Sequence, residues 1–426
     1  MNRREFLAAG AAAAGACGLP AVAATESGAD SPTANATMSS PMGDEPRALF
    51  PWIEREIYLN AARGTPLSTF SAAAIDQYQE LLRYGYGGGR DDPFFEMMDE
   101  IRGRFGALIG ARASEIAMTQ CTKGGEQIVL DRLPKLRAGG NVVTNDFHYA
   151  GSLHNLLGLR QAGTDVRIVR AAEDWTLDPE AMIDAIDDDT ALVAVTLVSN
   201  VNGRIEPMHD LVAAAHAKGA LVYADIIQAA GIMPFDVREL GIDFAACSGY
   251  KWMFGVRGTA FFYVRDEHQG KALVDRVFPG SSEPLYDPWT AGATPEGSGV
   301  DGFSYRAPTD ARRYQPGHIS YIGFCALYEG IRFIHRIGVE AMLRHSVTLN
   351  RRLLDQVDLE RYPCISPDVD RSPIVTFLGS DQAGLKQRLK RAGVAVTLHG
   401  PRIRVSPAIY NTPEDMDRLA AVLAET

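Results

Sequence analysis

Two apolar stretches, each leading to a charged residue, constrain this chain more than any other feature. Residues 221–224 are too apolar to face water on alternate residues, which predicts a short buried strand that ends at Asp225. A second apolar run, 243–247, leads into a turn rich in glycine and aromatic residues that contains Lys251. Because open α/β sheets bind ligands at the carboxyl ends of their strands, we expect both charges to lie in one crevice.

A strand-end acid and a nearby lysine are the two charges that a pyridoxal phosphate (PLP) site requires. The lysine holds the cofactor's aldehyde as a Schiff base, and the acid keeps the pyridine nitrogen protonated. Either residue alone is more often a turn residue or a solvated charge. Their combination with Gln228 and with the run Ser248-Gly-Tyr250-Lys251-Trp favours the cofactor site.

This pattern resembles the class V aminotransferase family of fold type I PLP enzymes, and the resemblance runs from about Tyr58 to the C-terminus. It implies that Lys251 is the catalytic residue and that Asp225 binds the ring nitrogen. The other side chains for which it implies cofactor contacts are Asn200 and Gln228 at the ring hydroxyl, and Ser248 and Tyr250 at the phosphate.

Two further segments similar to the family concern the phosphate and the ring face. Gly124 and Gly125 stand where the family usually carries two threonines, so the phosphate is expected to bind backbone amides at a helix N-terminus. Tyr149 best matches the aromatic residue that stacks on the cofactor ring, and His148 is the alternative, since either offers a flat polarisable face.

The C-terminal part resembles the family at a substrate-binding arginine. Arg404, within Arg402-Ile-Arg404-Val-Ser406, matches the arginine that grips the substrate carboxylate, for which a guanidinium offers a planar fork. His318 replaces a threonine in the segment that reaches the phosphate of a neighbouring subunit. The resemblance therefore implies a homodimer.

Strands that alternate with helices predict an α/β fold with a mostly parallel sheet. With the resemblance, this gives a large PLP-binding domain over residues 48–318 and a smaller α+β domain over residues 319–426. Residues 279–317 are rich in glycine, proline and serine and are expected to be an irregular excursion.

The N-terminus has the pattern of a twin-arginine signal peptide. Arg3-Arg4 is followed by Phe6-Leu7, an uncharged small-residue stretch and a small-x-small site at residues 21–23. We expect residues 1–24 to be cleaved rather than to span a membrane, and residues 25–47 to form a disordered linker. The protein is then periplasmic or secreted. A lipoprotein reading through Cys17 is less favoured.

Composition excludes some classes of partner. A net charge of −11 without a basic block argues against nucleic acid. Hydrophobic and charged contents of 46% and 22% are those of an ordinary soluble globular protein. The five cysteines show no zinc spacing, so no metal is expected.

The resemblance implies an exported, aminotransferase-like enzyme of the isopenicillin N epimerase-like branch, acting on an amino group of an amino acid or peptide. A PLP-dependent lyase or epimerase is the alternative, because the carbanion at Cα can follow several routes. A non-catalytic amine-binding protein is disfavoured by the intact Lys251 and Asp225. Cysteine desulfurases carry a reactive cysteine shortly before the arginine motif. Residues 393–402 contain none, so the sequence disfavours desulfuration by that route.

Overall fold

The computed structural model describes residues 45–86, 92–273, 283–286 and 304–425. The predicted signal peptide and nearly all of the predicted linker lie outside the described residues. A short helix begins at Glu45, inside the last residues assigned to that linker.

The helices and strands alternate along the chain, as the apolar periodicity predicts. The strands are β1 (Ile57–Tyr58), β2 (Ile116–Thr119), β3 (Asn141–Asn145), β4 (Val166–Val169), β5 (Thr190–Thr196), β6 (Leu221–Asp225), β7 (Phe244–Ser248), β8 (Ala260–Val264), β9 (Glu283–Tyr286), β10 (Ser304–Arg306), β11 (Val375–Leu378), β12 (Val394–Ala395), β13 (Thr397–His399) and β14 (Arg402–Val405). The α-helices are α1 (Glu45–Ala48), α2 (Thr69–Tyr84), α3 (Phe94–Leu108), α4 (Thr122–Arg132), α5 (Pro134–Arg137), α6 (Ala150–Gln161), α7 (Pro179–Asp184), α8 (Met208–Ala217), α9 (Tyr321–Ile337), α10 (Val339–Leu354), α11 (Gln382–Ala392) and α12 (Pro413–Ala424).

A seven-stranded sheet in the order β2-β8-β7-β6-β5-β3-β4 forms the centre of the molecule. Strand β8 runs antiparallel to both of its neighbours, and the other neighbouring pairs are parallel. Alternate residues of β5 pack into two different hydrophobic clusters, one on each face of the sheet. Burial on both faces explains why these strands are apolar throughout, and the predicted mostly parallel α/β sheet is confirmed.

A second, smaller sheet lies in the C-terminal part of the chain. Strands β11, β14 and β13 form an antiparallel sheet in that order, while β1 pairs with β12 in parallel. A third hydrophobic cluster draws on residues from 349 onward and on Leu59. The segment around β1 thus joins the N-terminal end of the folded chain to the C-terminal sheet. The predicted division at residues 318 and 319 stays a prediction.

Two features depart from the sequence analysis. Within the predicted irregular stretch 279–317, the structure has the antiparallel pair β9 and β10 and a 3-10 helix at Ala311–Tyr314. Helix α2 was not predicted, although Ser68 caps it by accepting a hydrogen bond from the amide of Ser71 at 3.1 Å. In the parts of the chain that the structure describes, no helix combines the length and apolar character needed to cross a membrane.

A buried carboxylate anchors the end of the sheet opposite the predicted crevice. Asp243 precedes β7 and accepts hydrogen bonds from Nε2 of His216 at 2.8 Å, Nε2 of His268 at 2.7 Å and the amide of Val222 at 2.7 Å. Burial opposes its charge, but the bonds from the two histidines outweigh burial and lower the pKa of Asp243. The hydrogen bond to Asp243 in turn raises the pKa of His216.

Because its folded-state pKa is raised, protonated His216 stabilises the fold below its unfolded pKa of about 6.5, and this contribution is lost as pH rises through the folded-state value. We expect His216→Gln to cost about 1 kcal/mol of folding free energy at the acid end, since the pair is partly exposed. The difference in thermal unfolding midpoint between wild type and variant should shrink from about pH 6 to about pH 9.

The matched control is His209→Gln, because His209 lies on the same helix α8 but is exposed beside Asp210. Its midpoint should follow that of the wild type at every pH. A His216→Gln difference that grows with pH would contradict the assigned pair.

Candidate active site

The crevice forms where two neighbouring parallel strands end. Strand β6 ends at Asp225, which pairs with Ala246 of β7, and β7 ends two residues later at Ser248. Lys251 follows in the turn between β7 and β8. The two charges singled out in the sequence therefore lie at the same edge of the sheet, as expected for a ligand crevice of an open α/β sheet.

Burial changes the acidity of Lys251. Its side chain is 6% exposed, and desolvation lowers the pKa of the amine to about 8, against the attraction of Asp225. Arg404 acts in the same direction as burial because it is a like charge. The amine is therefore much closer to its neutral, nucleophilic form at physiological pH than an exposed lysine would be.

The pKa of the Asp225 carboxyl group is shifted in the opposite direction. It is 1% exposed, and desolvation raises its pKa to about 6, while the amide of Ile227 donates to Oδ1 at 2.9 Å and lowers it. The positive charges of His148 and Lys251 also favour the ionised form. A cationic ring nitrogen bound here would hold Asp225 as the anion, since an opposite charge offsets desolvation.

His148 is buried and its charge acts on this carboxylate, whereas Tyr149 is partly exposed. His148 is buried, with Nδ1 at 2.7 Å from Oγ1 of Thr196 and Nε2 at 3.2 Å from Oε1 of Glu126. Both ring nitrogens of His148 thus have a buried hydrogen-bond partner, one a hydroxyl and the other a carboxylate. Tyr149 is 40% exposed and begins helix α6. The hydrogen bonds fix the orientation of the His148 ring, and the choice between His148 and Tyr149 for the ring face stays a prediction.

Ser248 and Thr122 fix the start of helix α4 against the end of β7. The amide of Thr122 donates to Oγ of Ser248 at 2.9 Å, and the amide of Ser248 donates to Oγ1 of Thr122 at 2.9 Å. The two hydroxyls are also 2.9 Å apart. Ser248 thus joins this helix to the lysine turn, and its predicted contact with the phosphate stays a prediction.

The two predicted phosphate glycines lie in the first turn of α4. Their amides donate to the carbonyl of Cys121, at 3.0 Å from Gly124 and 3.4 Å from Gly125. A Cβ on Gly125 would lie 2.6 Å from Cβ of Ala246, so glycine at this position lets the helix approach the sheet closely. Packing explains Gly125, and the phosphate contact of both amides stays a prediction.

Tyr250 and Gln228 connect the lysine turn to other segments. The Tyr250 ring centre lies 5.9 Å from Nζ of Lys251 and 5.4 Å from Cζ of Arg257. Gln228 donates from Nε2 to the carbonyl of Ala62 at 3.0 Å and accepts from Nε1 of Trp252 at 2.8 Å. Both side chains therefore hold the lysine turn in place, and their predicted cofactor contacts stay predictions.

Arg404 points into the same region from strand β14. It is 7% exposed and donates to the carbonyl of Asn200 at 2.9 Å, Oγ1 of Thr397 at 3.0 Å and Oδ1 of Asn60 at 3.4 Å. Its Nε has no hydrogen-bond partner. Burial and the neighbouring Arg402 lower its pKa to about 10, so the guanidinium stays charged near neutral pH. No carboxylate pairs with it among the described residues, which suits a group that binds an anion.

A cleft of about 720 Å³, within the range of small-molecule sites, lies beside Arg404, between the loops after β3 and β4 and the C-terminal sheet. Neither Lys251 nor Asp225 is among its lining residues. On the large-sheet side its lining is a mixture of aromatic, apolar, acidic and basic residues with Asn200, and the C-terminal sheet contributes Thr397, His399, Arg402 and Arg404. Asn200, predicted to contact the ring hydroxyl, also lines it. His318 lies on the surface, with Nδ1 2.7 Å from the hydroxyl of Tyr321, and its contact with a neighbouring subunit's phosphate stays a prediction.

Sequence reasoning missed several residues of this site. Glu126 and Thr196 orient His148, and Thr122 locks Ser248. Glu126 follows Thr122 by four residues, so helical spacing alone could have placed both on the face of α4 that meets the sheet. Nothing in the local sequence pairs Thr196 with His148, because that contact joins β5 to the loop after β3.

Comparisons with known proteins identify the family and the fold. A model of the aminotransferase class V family matches residues 72–419. A probable cysteine desulfurase of Methanothermobacter thermautotrophicus is 28% identical over 405 residues, covering 90% of this chain and 97% of that protein. A cysteine desulfurase of Escherichia coli strain SE11 is 27% identical over 416 residues, covering 89% of this chain and 97% of that protein.

Solved structures share the fold at lower identity. The apo structure of a cysteine desulfurase from Thermococcus onnurineus has a TM-score of 0.76 and 22% identity, covering 91% of this chain and 98% of that one. A cystine C–S lyase bound to its product cysteine persulfide has a TM-score of 0.75 and 18% identity, covering 88% and 99%. A mutant of that lyase carries glycine covalently linked to its PLP cofactor. Since the family model spans most of the chain and the fold type I architecture is shared, this chain belongs to the class V aminotransferase family of PLP-dependent enzymes.

Proposed function

We propose that this protein is a PLP-dependent lyase that uses Lys251 to act at the Cα of an amino acid whose carboxylate binds Arg404. The observation that carries the proposal is the burial of an amine and an acid at one edge of the sheet, with the buried guanidinium of Arg404 close enough to lower the pKa of that amine. The names of the relatives, cysteine desulfurase and C–S lyase, support elimination ahead of the aminotransferase-like reaction that the sequence favours.

The residues present fit the cofactor. Lys251 supplies the amine for its aldehyde, Asp225 supplies the counter-charge for the ring nitrogen, and His148 offers a fixed flat face. When bound, PLP withdraws electrons from the substrate's Cα and so weakens the bonds at that carbon. The Thr122 and Ser248 bridge keeps the start of helix α4 at the same sheet edge, where a helix N-terminus favours an anion such as phosphate.

Lys251 then serves as the base. Its Nζ takes the Cα proton, which its lowered pKa of about 8 allows near neutral pH. The bond from Cβ to the leaving group breaks, and the leaving group departs with the electron pair. Arg404 fixes the carboxylate, so that the Cα proton is presented to the amine.

None of the four cysteines among the described residues lines the cleft. Cys247 and Cys325 are buried, and Cys364 lies in the loop before β11. The hairpin of β13 and β14 carries His399 and Arg402 near the position where desulfurases are expected to carry their reactive cysteine. We therefore propose that the leaving group is released directly and is not passed to a cleft cysteine as a persulfide.

This proposal predicts the products from an S-substituted cysteine. The loaded enzyme should convert it, with water, to pyruvate, ammonia and the free thiol in equal amounts, with no keto-acid acceptor added. Coupled assays of pyruvate and ammonia measure this. A requirement for a keto-acid acceptor would show transamination and overturn the lyase assignment.

Lys251→Ala provides the control for this assay and should lower turnover by roughly 10²–10⁴-fold. Borohydride reduction of the wild type, followed by peptide mass spectrometry, should place the cofactor on Lys251. The matched variant is Lys218→Ala, an exposed lysine paired with Asp188 at 3.0 Å, which should behave as the wild type.

Removal of the Arg404 guanidinium should weaken substrate binding. We expect Arg404→Gln to raise KM by about 10- to 100-fold, or about 1.5–3 kcal/mol, because a charge-assisted contact is lost. Steady-state kinetics measure KM, while cofactor absorbance should match the wild type. An unchanged KM would mean that the carboxylate binds elsewhere.

We also propose that the protein is exported by the twin-arginine route. Arg3-Arg4 with Phe6-Leu7 supports this, because that route carries folded proteins and PLP is assembled in the cytoplasm. Arg3→Lys with Arg4→Lys should leave a cofactor-loaded, uncleaved precursor in the cytoplasm. The wild type and the control Glu5→Gln should be found outside the inner membrane, shortened near Ala23 or Ala24. Cell fractionation and N-terminal sequencing measure where each variant is found and whether it is cleaved. Normal export of the double variant would show that the protein does not use the twin-arginine route.

A further inference from the structure

Strand β14 places two arginines on one face. Ile403 and Val405 are fully buried in the C-terminal core, and side chains alternate along a strand, so Arg402 and Arg404 both face away from that core. Both line the cleft. Their Cα atoms are two residues apart on a strand, a separation of about 7 Å. The alternation Arg-Ile-Arg-Val thus forces two like charges to share one wall of the site.

Neither guanidinium has a carboxylate partner among the described residues. A third arginine of the cleft, Arg170, is already paired with Asp146 at 2.9 Å. Glu173 is the other acid that lines the cleft, and it is exposed. Arg402 is half-buried, and this burial lowers its pKa, as expected for a cation partly removed from water. Two adjacent unpaired cations repel each other, and anions bound between them would offset that repulsion.

Arg402 is nevertheless held in one orientation. Its Cζ lies 5.5 Å from the centre of the Trp175 ring, and its Nη2 donates to Nδ1 of His399 at 3.0 Å. His399 is its cross-strand partner on β13. The ring and the imidazole fix the guanidinium plane and leave other N–H groups free to bind an anion.

Trp175 adopts a costly backbone conformation to reach this position. Its φ is 66°, in the left-handed region that a bulky residue rarely enters. A turn stabilises it, with the Trp175 amide donating to the carbonyl of Ala172 at 3.0 Å and the Ala172 amide donating to that of Thr176 at 2.8 Å. Strained residues of this kind concentrate at functional sites.

We infer that Arg402, Trp175 and His399 form a second anion subsite, and that the substrate is an amino acid whose side chain ends in a carboxylate. The inference rests on the proposed function, since Arg404 is taken to bind the α-carboxylate. The side chain then extends from Cα along β14 to Arg402, at the end of the cleft next to Trp175. A leaving group that carries its own carboxylate meets this requirement.

The test measures binding without turnover. Succinate, glutarate and adipate, each compared with its half-amide, are titrated into the cofactor-loaded enzyme by calorimetry. At least one diacid should bind the wild type about tenfold or more tightly than its half-amide, because a charge-assisted bond to Arg402 is gained. Arg402→Gln should remove this preference and leave the half-amide affinity within about twofold.

Arg402→Lys, which keeps the charge but loses the planar fork, should retain part of the preference. The matched control is Arg361→Gln, because Arg361 also lies over an aromatic ring, 5.1 Å from the centre of Tyr362, but does not line the cleft. It should bind as the wild type does.

The subsite is wrong if no diacid is preferred over its half-amide, or if Arg402→Gln keeps the preference. Arg404→Gln separates this outcome from a failure of the proposed function. That variant should weaken the binding of diacids and half-amides alike. Unchanged half-amide binding would mean that Arg404 does not bind the α-carboxylate. The result for Arg402 would then be interpreted independently of Arg404.

Discussion

The burial of two opposite charges, Lys251 and Asp225, at one edge of the sheet is the constraint on which the rest of the structure depends. Desolvation moves their pKa values towards each other, to about 8 and about 6, although their mutual attraction works against it. Removing two charges from water costs folding free energy unless the surrounding structure holds them in place and a bound ligand supplies the missing polar contacts. The seven-stranded sheet supplies that rigidity, because β6 and β7 are buried strands in parallel register.

Around these two residues, buried polar side chains hold the neighbouring segments in position. Gln228 ties the segment after β1 to Trp252, Thr122 and Ser248 join helix α4 to β7, and Glu126 with Thr196 orients His148. Each bond satisfies a buried polar group and at the same time fixes a residue of the lysine turn, of helix α4 or of the loop after β3. A site built in this way keeps its geometry before any ligand arrives, which is what acceleration by orientation requires.

The C-terminal sheet supplies four of the residues that line the cleft, Thr397, His399, Arg402 and Arg404. Arg404 reaches the cleft only because Asn60, Thr397 and the carbonyl of Asn200 receive its N–H groups. The relatives named desulfurases share the family, yet the hairpin of β13 and β14 carries arginine and histidine instead of a cysteine. In the proposed function, the large sheet thus supplies the groups that act at Cα, and the small sheet supplies the arginines that bind the substrate.

Short stretches of the sequence determine much of the fold and part of the site. Fully apolar runs determine the buried parallel strands, since a strand covered on both faces has no polar side. The positions of Asp225 and Lys251 at the ends of such runs determine the crevice, and the alternation of residues 402–405 determines that two arginines share a face. Only the tertiary structure decided that His148 is buried while Tyr149 is partly exposed, that Glu126 and Thr196 orient His148, and that Trp175 lies against Arg402. Those contacts join segments far apart in the chain, and the desolvation that sets the acidity of Lys251 exists only once those segments exclude water together.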